Sequence, residues 1–106
     1  MNPMTQDERL ANETEVILGA TDEAIARQDW AAARRHVARG LEAIGDRYLS
    51  LAAIDSTGMA LVLAAHEAEQ GREPEAVNLQ RDVLHSRIVQ LRAKAQTAGA
   101  PPSSSR

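Results

Sequence analysis

Two of the three histidines sit at helical spacing from a carboxylate. His66 precedes Glu69 by three residues, and Asp82 precedes His85 by the same interval. On a helix that interval places each pair on one face. Two such helices side by side would assemble two imidazoles and two carboxylates, a donor set suited to zinc or iron. The order of the residues argues against it. His-x-x-Glu and Asp-x-x-His differ from the paired Glu-x-x-His of di-iron bundles, and His66-Glu67 lacks the second histidine of His-Glu-x-x-His. These four residues read as surface polar groups near helix ends, and no metal site is assigned.

Other reactive chemistry is thinner still. Ser50, Ser56 and Thr57 have no Gly-rich elbow beside them, as a serine nucleophile would require. Gly45 and Gly71 punctuate helices and form no phosphate loop. The absence of cysteine excludes disulfides, thiolate-bound zinc and a cysteine nucleophile together. No catalytic residue and no cofactor is assigned, so the expectation is a protein that is not an enzyme.

Charge narrows the partners. The net charge of −3 disfavours nucleic acid, which calls for a basic surface. Arg34, Arg35 and Arg39 could serve a helix-turn-helix reader, but they stand in an alanine-rich helix of an acidic chain. The stretch holding Asp7, Glu8, Glu13, Glu15, Asp22 and Glu23 is acidic, and the next, with Arg27, Arg34, Arg35 and Arg39, is basic. Neighbouring helices of opposite charge complement each other; the alternative is an arginine patch for an acidic partner. Met1 to Leu10 lacks the features of a signal peptide, and no apolar run approaches the roughly 20 residues that span a bilayer. A soluble cytoplasmic protein is expected. Lys94 is the sole lysine, and the abundance of Arg and Ala reads as a GC-rich bacterial or phage coding bias.

The elements that would carry these residues are helices. Aromatic residues make up only 2% of the chain and Phe is absent, so a core must come from Ala, Leu, Ile and Val, which suit close-packed helices. Periodicity and end signals predict helices over 6–28, 29–44, 47–70 and 74–97 in a single domain of residues 1–98, with 99–106 a disordered tail. Thr5 and Glu8 form a capping box, Asp29 is an N-cap, Gly71 ends the third helix, and Pro74 suits the first turn of the fourth. Gly19 weakens the first helix by about 1 kcal/mol relative to Ala. Asp55-Ser56-Thr57-Gly58 contains poor helix formers, and the helix is expected to run through them. Met59-Ala60-Leu61-Val62-Leu63-Ala64-Ala65 is apolar nearly all round, so the third helix is expected to be the most buried. Arg87, Arg92 and Lys94 would complement the dipole at the end of the fourth.

One pattern occurs twice. Ala20-Thr21, Trp30, Ala33 and Leu41 align with Leu63-Ala64, Glu73, Ala76 and Leu84 at a constant offset of 43 residues. An echo of that length signals stacked helical hairpins. These residues, over roughly 14–95, resemble tetratricopeptide-like repeats of the long-helix variety found in kinesin light chains and bacterial regulatory proteins. In that family the small residue at Ala33 and Ala76 lets the second helix approach the first, and a large residue at Trp30 fills the space beside the turn. The second copy departs from the pattern at Glu67, Glu73 and Gln80.

The fold class expected is therefore all-α, four helices as two antiparallel hairpins, either a repeat pair or a four-helix bundle. The resemblance implies a non-catalytic adaptor that binds another protein, such as an amphipathic helix, through the inward faces of its first and third helices. Carried over by position, the partner-binding residues are Leu18, Asp22, Ile25, Leu61, Ala65, Ala68 and Glu69. The alternative function is structural: a self-associating bundle whose homo-oligomer is its working form.

Overall fold

The computed structural model describes residues 5–45 and 51–99, which fold into four helices with no strand among them. They are α1 (Gln6–Ala26), α2 (Trp30–Ala43), α3 (Leu51–Glu69) and α4 (Glu73–Gly99). The chain is all-α, as its composition demands. The start predicted for the third helix, at 47–50, and the 100–106 part of the tail lie outside the described residues.

Local signals act where the sequence places them. The Glu8 amide donates to Thr5 Oγ1 at 3.1 Å, and the Thr5 amide donates to Glu8 Oε1 at 3.2 Å, closing the capping box of α1. The Ala32 amide donates to Asp29 Oδ1 at 3.2 Å at the start of α2. α3 passes unbroken through Asp55-Ser56-Thr57-Gly58.

The 43-residue echo is written into the backbone of the two interhelical turns. After α1, the Gln28 amide donates to the Ile25 carbonyl and the Asp29 amide to the Ala24 carbonyl, both at 2.9 Å. After α3, the Gly71 amide donates to Ala68 at 3.0 Å and the Arg72 amide to Glu67 at 2.9 Å. Both are Schellman turns, and each needs one left-handed residue. That residue is Gln28 at φ 59° in the first and Gly71 at φ 79° in the second.

The packing does not repeat with the turns. α4 lies against α1, α2 and α3, whereas α3 packs chiefly on α4. Contacts fix the directions. Asp22 meets Arg81 and Glu15 meets Arg92, so α1 and α4 are antiparallel. Arg34 meets Glu73 and Gly40 meets Leu84, so α2 and α4 run the same way. Thr57 meets Arg87 and Glu67 meets Arg72, so α3 and α4 are antiparallel.

The expectation that the third helix is the most buried is corrected here. The main core joins Ala11 and Leu18 of α1, Val37 and Ile44 of or beside α2, and Leu84, Ile88 and Leu91 of α4. A second cluster joins Ala24, Ala32, Ala33 and Val77, with Ile25 and Trp30 against it. Neither contains a residue of α3, whose buried side chains among those described are Thr57 and Ala64. Apolarity states what a helix would bury; topology decides what covers it. α4 hides its apolar residues on two sides, so its pattern reads as weakly amphipathic although it is the central element.

Three positions shape the main core. Gly40 faces Leu84, and a Cβ there would lie 2.6 Å from Leu84 Cδ2 and 3.3 Å from Ile17 Cγ2. Thr14 and Thr21 are fully buried in α1, where apolar residues would be expected. Their hydroxyls are satisfied within the helix, Thr14 Oγ1 donating to the Leu10 carbonyl at 2.7 Å and Thr21 Oγ1 to Ile17 at 2.9 Å.

Paired glycine substitutions test this packing. Gly40→Ala should destabilise by about 1–2 kcal/mol, because overpacking against fully buried Leu84 outweighs the gain in helix propensity. Gly19→Ala, at an exposed site with no neighbour within 4 Å, should stabilise by about 1 kcal/mol. Urea unfolding followed by circular dichroism reads both. At the two turns, Gln28→Gly in the first should raise stability by about 0.5–1 kcal/mol by removing the left-handed strain, and Gly71→Ala in the second should lower it by about 1 kcal/mol. A thermal melt in which these two shift the same way would refute the shared turn geometry.

Candidate functional site

Several charged side chains pair between helices. Arg81 grips Asp22 with two parallel bonds, Nε to Oδ1 at 2.8 Å and Nη2 to Oδ2 at 3.1 Å, a fork geometry that fixes register between α4 and α1. The bond to Asp22 is the main reason the Arg81 guanidinium holds its proton more firmly than usual. Arg92 Nε donates to Glu15 Oε2 at 2.9 Å and Nη2 to Asn12 Oδ1 at 3.1 Å. Lys94 lies 3.7 Å from Asp7. The acidic face of α1 is thus matched by α4 and not by the basic helix beside it in sequence. Arg92 and Lys94 serve α1 rather than the helix end, since α4 continues to Gly99. Arg87 is buried, 4% exposed, and donates to Thr57 Oγ1 at 3.1 Å, tying α3 to α4.

The sequence-predicted contact residues separate into two groups. Leu18 lies in the main core at 7% exposure. Asp22 is held by Arg81. Ile25 is half-buried against the second cluster. The α1 residues therefore face the bundle, with α4 between them and α3. On α3, Leu61 and Ala68 are half-buried, while Ala65 and Glu69 are exposed. No common groove joins the two sets, because it would need α1 and α3 to be neighbours.

What the fold presents instead is the outer face of α3. Met59 is 74% exposed, Val62 65% and Leu63 47%. Asp55 and His66 are exposed at either end of this run. Thr57 and Ala64 are turned toward α4, so Asp55, Met59, Val62 and His66, at spacings of four, three and four, lie on the opposite side. An apolar helix that rests on one neighbour leaves such a stripe to water. Reading the Met59–Ala65 run as buried hid these residues; the signal that could have revealed them is the polar pair, Asp55 and His66, framing the stripe at heptad spacing.

The remaining surface offers less. The second copy of the repeated pattern has Glu73 where the first has Trp30, and Glu73 forms an ion pair with Arg34 at 3.2 Å. Arg35 and Arg39 are exposed on α2. A hollow of about 280 Å³ between α3 and α4 is lined by Ser56, Thr57 and Ser86 among others. Its hydroxyls are engaged, Thr57 by Arg87 and Ser86 by Gln90. A second hollow, of about 300 Å³ between α1 and α4, holds His85 with Arg81 and Arg92, both already paired with acids. His85 and His66 thus face different surroundings, and no group of three or more His, Cys, Asp or Glu converges among the described residues. No helix among them is long and apolar enough to cross a membrane.

No protein-family model, curated protein or solved structure matches the chain.

The turn from α3 to α4 gives a local electrostatic test. Glu67 pairs with Arg72 across it. That hydrogen bond holds the Glu67 carboxyl below its ordinary range, helped by the charges of Arg72 and His66 and opposed by desolvation. A lowered folded value means the pair supports the fold above the unfolded carboxyl's pKa and fades as pH falls through the folded one. An NMR titration should therefore place the Glu67 midpoint below that of a free glutamate, and Arg72→Gln should raise it back. An unchanged midpoint in the variant would refute the pairing.

Proposed function

We propose that this protein is a non-catalytic interaction module, a small cytoplasmic adaptor that binds a partner helix along the outer face of α3. The observation that carries this reading is the exposure of Met59, Val62 and Leu63 along one side of α3. Contiguous apolar side chains in water mark contact surfaces, and a helical stripe is complementary to another helix with its own apolar stripe. The tetratricopeptide-like pattern supports the same class of function. The turns and the salt-bridged register of α1 with α4 supply a rigid platform, which lowers the entropic cost of binding.

Site-directed photo-crosslinking in the native cell tests it. A benzophenone amino acid at Val62 should give discrete protein adducts, whereas the same probe at Ala38, exposed on α2, should not. Absence of adducts from position 62, or equal labelling from 38, would overturn the assignment.

A further inference from the structure

We propose that the helix taken up by the α3 face is α3 of a second copy of this chain, docked antiparallel; this rests on the interaction reading above and names its partner. The stripe is self-complementary. An antiparallel pair centred between Ala60 and Leu61 places Met59 of one copy on Val62 of the other, twice by symmetry. The same register sets Asp55 opposite His66 of the second copy, again twice. An imidazole N–H donates to a carboxylate when neutral, and the pair gains charge assistance when the ring is protonated. Apolar residues therefore meet apolar residues at the centre, and donor meets acceptor at both ends.

Competing arrangements lose this match. A parallel pair sets Asp55 on Asp55, opposing two carboxylates, and His66 on His66, which leaves neither imidazole a carboxylate acceptor. Sliding an antiparallel pair by one heptad lays Asp55 on Met59 and strands a carboxylate on an apolar side chain. The flanking positions fit as well. Ser56 and Leu63 border one side of the stripe and Gly58 and Ala65 the other, so no charge there opposes association. A Cβ at Gly58 would meet nothing within 4 Å, leaving room for the second helix to approach closely. The outcome is a four-helix arrangement of two α3 and two α4 with an isologous interface. A contact along one 19-residue helix, about 28 Å long, belongs to the low end of interface sizes, so the dimer should be weak and reversible.

Charge exchange on the full-length chain tests partner and register together. Asp55 and His66 are exposed, so their variants keep the fold. Sedimentation equilibrium at low ionic strength should show a reversible dimer. Asp55→Arg and His66→Glu should each raise its dissociation constant by roughly tenfold or more. Mixed together, the two variants should form a heterodimer, seen by native mass spectrometry, because each then opposes Arg to Glu and Asp to His. The double variant D55R/H66E should return to near the wild-type constant. A wild-type chain that stays monomeric to about 500 µM would overturn the proposal, as would single variants that fail to complement each other. If the Val62 probe then labels only foreign proteins, the second copy is rejected and the interaction reading stands. If it labels nothing, both fall.

Discussion

The contact between Gly40 and Leu84 is the point on which the bundle closes. Leu84 is fully buried, and it reaches α2 only because residue 40 has no side chain. Close approach there lets Ile17, Val37 and Leu41 gather with Ile88 and Leu91 in one core. With α1 and α2 joined by a tight turn, α4 must lie in the groove between them. The fork of Arg81 on Asp22 and the Arg92–Glu15 pair then set its axial position. Exposed ion pairs contribute little stability each, but a bidentate pair is directional and selects one register from several that apolar packing alone would tolerate.

That choice of central helix has a consequence on the other side. α4 can offer two apolar faces, and α1 with α2 covers one of them. α3 covers the other and, packing chiefly on α4, gains little cover for itself. Met59, Val62 and Leu63 are as apolar as the side chains of the core, yet they face solvent. The hydrophobic effect acts on that surface as it does on the interior. In the folded chain that stripe stays in contact with water. The core itself is modest, built from alanine and small aliphatic side chains, and it leaves this stripe uncovered.

The repeated pattern proved to be a property of turns more than of packing. Gln28 and Gly71 occupy the same left-handed position, with the same pair of carbonyl acceptors upstream. A small residue follows at the same interval in each, Ala33 and Ala76, and both are buried. The large residue does not recur. Trp30 leans on the second cluster, and its counterpart Glu73 reaches back to Arg34. The same turn geometry therefore launches helices into different surroundings.

The amino-acid sequence alone determined the helices, their caps and their turns. The capping box at Thr5, the N-cap at Asp29 and the left-handed Gly71 act over a few residues and owe nothing to distant parts of the chain. It also showed which helix was the most apolar. Only the tertiary structure decided that this helix is peripheral, that Arg92 and Lys94 serve α1, and that Leu18 and Asp22 belong to the bundle. Burial and pairing depend on which elements become neighbours. That is settled by contacts such as Gly40 with Leu84, between residues far apart in the chain, and a periodicity read along one helix carries no record of them.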